Sequence, residues 1–400
     1  MFAFNYYNPV RTEFGLGTFK TLGEKAAQLG KKALLVNYEN HIVLENVLNE
    51  AKELLNAQSV EAVEFYQFRE NPSIETVAVG VELAKKENCD MIIAIGGGSV
   101  MDGAKAIAAG VFYDGNDLWD MVFHRHDGSG SEINPPEKAL PIIAVPTVPA
   151  TGSEMNMCSV VTNETKKEKS YIWAECLFPQ FAILDPELSY TLPASVSACS
   201  AADAISHALE IYINSVDGTP LQNYWQEGTM RTIIENIPAA IANPTDPEAR
   251  GNLTWAAACA INGWANPGDG WTPMHQVGHV LSSRFGVNHG TSLTVIMPHW
   301  MRYNSERRPS VYERFALRVM NVEEGNKTSK EIINEGIDKF EAFLKNIGVA
   351  TILSEINITE NDLDNIVNDV EKVSFNADGV LGCNPVMTKA DILNVLKMAL

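Results

Sequence analysis

Apolar residues in the first half of the chain fall into short β-type runs separated by stretches with helical spacing. KALLVNY (32–38) and EAVEFYQF (61–68) predict two buried strands, and HIVLENVLNEAKELL (41–55) between them predicts a helix. IETVAVGVELAKKENC (74–89) predicts a second amphipathic helix. It leads into DMIIAI (90–95), an apolar strand that stops at glycines. SVMDGAKAIAAG (99–110) then resumes helical periodicity, and LPIIAVPT (140–147) returns to strand. Strands alternating with helices in this way form βαβ units, so the pattern predicts a parallel sheet with helices on both faces.

Beyond FAILDPELSYTLP (181–193) the texture changes. From Ser195 onward β-branched runs are few and helical periodicity dominates. Examples are ACSAADAISHALEIYIN (198–214), LTWAAACAINGWA (253–265), EIINEGIDKFEAFLKNIG (331–348) and KADILNVLKMAL (389–400). The chain is therefore divided into an α/β domain, residues 1–189, and an all-helical domain, residues 190–400. A length of 400 residues suits two such units better than one core.

Composition narrows the partners more than the chemistry. With 46% hydrophobic and 20% charged residues the chain can bury a large core, and a net charge of −20 argues against nucleic acid or an anionic membrane as partner. Six scattered cysteines (Cys89, Cys158, Cys176, Cys199, Cys259, Cys383) include no Cys-x-x-Cys spacing. That excludes a zinc ribbon or thioredoxin-like pair and points to reduced thiols in a cytoplasmic protein. The N-terminus lacks a basic start followed by an apolar run. No stretch approaches the ~18 apolar residues that a membrane helix needs.

The chemistry is concentrated in a few segments. In MIIAIGGGSVMDGAKAIA an apolar strand runs into three glycines and then a helix. Glycines admit a pyrophosphate close to backbone N–H groups, the helix N-terminus adds partial positive charge, and Ser99 can cap the helix and donate to a phosphate. Met101 breaks the G-x-G-x-x-G fingerprint, so a plain strand-to-helix turn is the alternative. A second turn, AVPTVPATGSEMN (144–156), brings Thr147, Thr151 and Ser153 to the C-terminal end of a parallel strand, where open α/β sheets bind ligands. Ordinary turn and capping chemistry would use the same residues.

Asp203 and His207 are four apart in a helical segment and share a face. His275 and His279 repeat that spacing, and His289 follows in GVNHG. Histidines with one carboxylate suit iron(II) or zinc rather than magnesium or calcium. Single helical histidines are mostly structural, yet three of the eight in this chain fall within fifteen residues. Asp203 and His207 also lie among alanine, isoleucine and leucine, where an unpaired carboxylate is costly and a metal relieves it. His275 and His279 have the spacing of a zinc peptidase, but Gln276 stands where its general-base glutamate would be. Spacing alone leaves five candidate ligands in two clusters.

Four motifs in order, GGGSVMDGAKAIA (96–108), PTVPATGSEMN (146–156), DAISHALEIY (203–212) and GDGWTPMHQVGHVLSSRFGVNHG (268–290), resemble the iron-containing, or group III, alcohol dehydrogenases. The branch resembled is that of butanol dehydrogenases and broad-range aldehyde reductases, and the likeness runs nearly end to end. It implies a Rossmann-like N-terminal domain with a parallel sheet and an all-α C-terminal domain, the dehydroquinate synthase-like architecture, with the active site between them. It implies that Asp203, His207, His275 and His289 hold a divalent metal, iron or zinc. His279 would stand beside the nicotinamide, where it would help relay the alcohol proton. Gly97, Gly98 and Ser99 would meet the pyrophosphate of NAD(H) or NADP(H), and Asp102 would lie near the nicotinamide ribose. Asn71, Thr147, Thr151, Asn156 and Lys169 would make further cofactor contacts. The implied activity is reversible hydride transfer between that cofactor and small primary alcohols or aldehydes such as butanol and butanal, in a homodimer.

The branch also has a Gly-Gly-Gly-Ser loop after its first β-strand that meets the 2′-phosphate of NADPH. Here KALLVNY is followed by Glu39, Asn40 and His41. A carboxylate there repels a 2′-phosphate and can accept from a 2′-hydroxyl, which points to NADH or mixed use. A lyase resembling dehydroquinate synthase would need a basic site for its polyanionic substrate, and the metal segments offer Arg284 and little else. A non-catalytic relative would have lost a ligand, and none is missing. Trp264 and Trp271 flank the second metal segment and are candidates to line an apolar pocket, or else to serve as packing aromatics.

Overall fold

A computed structural model describes residues 3–123, 134–214, 218–265 and 272–400. Its strands are β1 (Arg11–Phe14), β2 (Lys32–Tyr38), β3 (Glu61–Phe68), β4 (Met91–Gly96), β5 (Ile142–Pro146), β6 (Cys158–Asn163), β7 (Glu168–Trp173) and β8 (Phe181–Leu184). Six of them form one sheet in the order β1-β8-β5-β4-β2-β3, with every pairing parallel, while β6 and β7 form a separate antiparallel hairpin. Helices α1 (Leu22–Leu29) and α2 (Glu45–Ala57) cover one face, packing with Ala33, Leu35 and Ile93. Helices α3 (Ile74–Glu87) and α4 (Gly98–Gly110) cover the other, with Leu34, Val36 and Ile92. Because both faces of β2 and β4 are buried, these strands read as continuous apolar runs.

EAVEFYQF differs from its expected buried state. It is the edge strand β3, where Phe65 and Phe68 are buried and Glu61 and Glu64 face solvent. Read outward from β3, the order places β4, with its glycine turn, where a Rossmann sheet has its first strand, and β2 where it has its second. All six strands of this sheet point the same way, so the segments following β2, β3, β4 and β5 gather along one rim of the sheet.

The remaining elements are α5 (Ala194–Asn214), α6 (Pro220–Ala242), α7 (Pro247–Ala260), α8 (Pro273–Phe285), α9 (His289–Thr294), α10 (Met297–Ser305), α11 (Pro309–Arg318), α12 (Ser329–Asn346), α13 (Leu363–Ser374) and α14 (Lys389–Met398). Proline starts α6, α7, α8 and α11, where its missing N–H costs nothing and its φ suits a helix. Capping boxes start α12 (Thr328, Glu331) and α14 (Thr388, Asp391). Helix α5 is buried almost all round from Ser197 to Ile213 and is the axis of the bundle. The helix expected over 253–265 ends at Ala260, and Gly263 lies at φ 91°, outside helical backbone. Met155 beside the sheet, Ala182 and Leu184 of β8, and Ala258 of α7 form a small cluster that joins the sheet to the helices.

Candidate functional site

Three helices converge on Asp203. Asp203 and His207 lie one turn apart on α5, His275 is in the first turn of α8, and His289 begins α9. Gly286, at φ 67°, ends α8 with a left-handed turn, and the Asn288 side chain then caps α9 by accepting from Gly290 N. A Cβ on Gly290 would lie 2.4 Å from the Cys199 carbonyl oxygen, so glycine is what lets α9 approach α5 and deliver His289. From Asp203 Oδ1 the Nε2 atoms of His289, His275 and His207 are 3.5, 3.8 and 4.0 Å away. Such separations suit ligands each about 2 Å from a shared cation. The potential ligand atoms of Asp203, His275 and His289 all lie within 4.8 Å of one another. Asp203 Oδ1 and His275 Nε2 are buried with no hydrogen-bond partner among the described residues. Buried polar atoms turned towards each other with no hydrogen bond between them fit a divalent cation. The donor set is that of iron(II) or zinc.

His279 stands apart from that set. Its ring stacks on His289 with centroids 5.5 Å apart and meets His275 edge-on at 6.1 Å, yet, unlike His207, it has no ion-pair contact within 4.0 Å of Asp203 among the described residues. It has no hydrogen-bond partner among the described residues, and burial together with nearby Lys169 holds its pKa well below the usual histidine value. It is therefore a neutral imidazole with a ring nitrogen open to a proton.

Sequence reasoning missed Glu210. It lies seven residues after Asp203 on the same face of α5 and is fully buried. Its carboxylate accepts from Met274 N at 2.6 Å and from His275 N at 3.4 Å, which caps α8, and it bonds His275 Nδ1. That bond turns His275 Nε2 towards Asp203. Burial lowers the His275 imidazole, but Glu210 and then Asp203 outweigh it and push the pKa up to about 9. A folded-state value above the unfolded one, about 6.5, gives metal-free protein a stabilisation that is complete below about pH 6.5 and lost as pH rises through about 9. Chelator-stripped wild type should therefore exceed Glu210→Gln in melting temperature at pH 6 by more than at pH 9, as scanning calorimetry would read. A difference that is constant with pH would contradict this coupling.

The rim at the glycine turn is built by close approaches. A Cβ on Gly97 would lie 2.7 Å from the Tyr38 hydroxyl, and one on Gly98 would lie 2.4 Å from Thr151 Cγ2. The glycine turn and the 147–156 loop are thus in contact, and Thr147 N bonds Gly96 O at 2.9 Å. Gly97, not Ser99, occupies the N-cap of α4. Ser99 sits inside the first turn and accepts from Asn71 N at 3.2 Å, which leaves its own proton free to donate. Asn71 is held at φ 56°, and its Oδ1 accepts from buried Lys169 Nζ at 2.7 Å. Lys169, from the unanticipated hairpin, lies near enough to Asp203, His279 and His289 to influence their charges. Asp102 accepts from Ser153 Oγ at 2.8 Å, and burial pushes its pKa up to about 6. Asn156 is occupied within the loop, bonded to Lys105, Cys158 N and Gly152 O.

Glu39, at the end of β2, pairs with Arg69 at the end of β3, Oε1 to Nε 2.7 Å. Arg284 is engaged by Asp369 at 2.7 Å. Trp264 is 46% exposed, meets Tyr6 edge-on and Trp225 at a tilt, and lies in a surface aromatic group rather than an enclosed pocket. Trp271 lies outside the described residues.

Two family models match the chain: iron-containing alcohol dehydrogenase over residues 9–186, and the C-terminal region of the Fe-containing alcohol dehydrogenase family over residues 197–400. A probable NADH-dependent butanol dehydrogenase of Bacillus subtilis is 37% identical over 399 residues, 99% of each chain. The NADPH-dependent aldehyde reductase of Escherichia coli is 31% identical over 92% of this chain and 93% of its own. Among solved structures, the NADH-dependent butanol dehydrogenase A of Thermotoga maritima superposes with a TM-score of 0.91 at 37% identity, covering 100% of this chain and 99% of that one.

Proposed function

Because the chain belongs to the iron-containing alcohol dehydrogenase family, it is a metal-dependent, nicotinamide-linked alcohol dehydrogenase and aldehyde reductase, and we propose that it acts on small primary alcohols and aldehydes of the butanol and butanal class. The convergence of His207, His275 and His289 on Asp203, with Asp203 Oδ1 and His275 Nε2 buried and unpartnered among the described residues, is the observation that carries this reading. We assign those four residues to the metal, and divide the chain at 189/190 into nucleotide-binding and metal-binding domains.

When bound, the metal supplies Lewis-acid polarisation of the substrate oxygen and the nicotinamide supplies or takes the hydride. The chain's own groups do the rest. The N–H groups of Gly98 and Ser99 have no hydrogen-bond partner among the described residues and, with the Ser99 hydroxyl, would hold the pyrophosphate at the start of α4. Thr147 and Thr151 flank that turn. Asn71 and Lys169 form a polar pair beside the histidines, and buried Asp102 lies near enough to Lys169 to influence its charge. Neutral His279 accepts the alcohol proton during oxidation and returns it during reduction. Replacing His279 with alanine is expected to lower turnover about a hundredfold, to change the pH profile and to leave metal content intact. Unchanged rates and pH profile would remove His279 from the proton path.

Glu39 leads us to propose NADH over NADPH. Its carboxylate occupies the place from which a Rossmann strand contacts the ribose 2′-hydroxyl, and it neutralises Arg69. Glu39→Ala should free Arg69 for a 2′-phosphate and shift the ratio of kcat/KM values towards NADPH by about threefold to fivefold, the scale on which exposed charges act. An unmoved ratio would assign cofactor choice elsewhere.

We also place the enzyme in the cytoplasm as a homodimer. All six cysteines are unpaired, and no helix among the described residues is long and apolar enough to cross a membrane. Exposed Tyr6, Phe14, Trp225, Trp255 and Trp264 present aromatic surface beside the edge strand β1, a surface suited to a second copy. The activity reading is tested by supplying the protein with iron(II) or zinc, NADH and butanal, and following the absorbance of the reduced nicotinamide. Steady loss of absorbance is expected; none at all, with metal bound, would overturn the reading.

A further inference from the structure

Lys105 lies in the middle of α4, in a run of glycine, alanine and isoleucine, and is completely buried. An ammonium group taken out of water costs several kcal/mol unless its protons are fully used. Here they are. Nζ donates to Ser153 O at 2.6 Å, Cys158 O at 2.7 Å, Ser153 Oγ at 2.9 Å and Asn156 Oδ1 at 3.1 Å. All four oxygens belong to the segment that follows β5, so one side chain of the glycine-turn helix gathers the loop on the other side of the rim. Ser153 passes the contact on, since its hydroxyl donates to Asp102 one turn back along α4. The same loop presses Thr151 against Gly98.

Neither a cofactor contact nor a proton donor fits this position. Lys105 has no exposed surface and is enclosed by protein oxygens, and it is more than a turn past the start of α4. The geometry points to Lys105 as a positioning residue that locks the 147–156 loop onto the glycine turn, so that the two sides of the nucleotide site are set before NAD(H) arrives. Preset loops bind more tightly because their ordering is not charged to the binding step. The inference rests on the assignment of this rim to the nicotinamide cofactor.

The test is NADH binding, read by fluorescence titration of metal-loaded wild type and Lys105→Met, alongside metal analysis, circular dichroism and steady-state kinetics. Lys105→Met should weaken NADH binding about tenfold or more, with the kinetic loss falling on the KM for NADH more than on kcat, and with metal content and secondary structure retained. A general loss of packing would instead lower metal content and kcat together and leave the KM of the folded fraction alone. If Lys105→Met does not fold, Ser153→Ala, which removes one acceptor and the Asp102 bond but keeps the Ser153 carbonyl, should weaken NADH binding about threefold. Folded Lys105→Met that binds NADH within twofold of wild type, or in its absence Ser153→Ala that does so, overturns the inference. Wild type that binds no NADH would instead sink the cofactor assignment beneath it.

Discussion

Asp203→Ala is expected to strip the divalent metal and to lower NADH-dependent aldehyde reduction about a thousandfold, equivalent to roughly 4 kcal/mol of transition-state stabilisation. Asp203 supplies the only carboxylate among the four proposed ligands, and its Oδ1 is the point from which the distances to His207, His275 and His289 are all 4.0 Å or less. The surrounding histidines outweigh burial and hold its carboxyl well below the usual range, so it is anionic throughout neutral pH. Without that charge, three imidazoles would have to hold a dication in a buried site. Metal analysis and initial rates on the same preparation read the outcome. Metal retained with a rate within tenfold of wild type would place the ion elsewhere.

Glu210→Ala should weaken metal binding by about 10- to 100-fold, the usual effect of removing the group that orients a ligating histidine. Three donors end on this carboxylate: Met274 N, His275 N and His275 Nδ1. Its loss therefore frees the His275 ring and uncaps the start of α8, where an anion is favoured by the helix dipole. Glu210→Gln keeps an acceptor oxygen but not the charge and should fall between wild type and alanine. Competition with a metallochromic chelator measures the series, and equal affinities for all three proteins would show that the α8 backbone alone positions His275.

The sheet was legible in sequence because its central strands are buried on both faces, as MIIAIG shows. Strand β1 escaped notice, since RTEF is four residues long with two charges. The β6–β7 hairpin was hidden for a related reason: it alternates buried and open positions over six-residue strands whose polar residues read as loop. Helix α6 mixes Met230, Ile233 and Ile237 with polar residues on every turn and gives no clear stripe.

In the site, the i, i+4 spacing identified the Asp203 and His207 face but made His275 and His279 equivalent. Three-dimensional placement separates them: Glu210 turns His275 to within 3.8 Å of Asp203, while His279 makes no such approach to Asp203 among the described residues. Glutamate on a helix usually faces solvent, so Glu210 carried no signal except its spacing from Asp203 and His207. Lys105 was equally silent. Its partners come from a segment about fifty residues away, in the loop after β5 and at the first residue of β6, which helical and strand periodicity do not link to α4.

Metal dependence tests the account most directly. The protein is stripped with a chelator, metal analysis confirms the removal, and iron(II) or zinc is titrated back while butanal reduction by NADH is followed. The account predicts negligible rate in the stripped protein and recovery to a plateau at one equivalent of metal per chain. Full rate in protein proven free of metal, or recovery that Asp203→Ala shares, would contradict it.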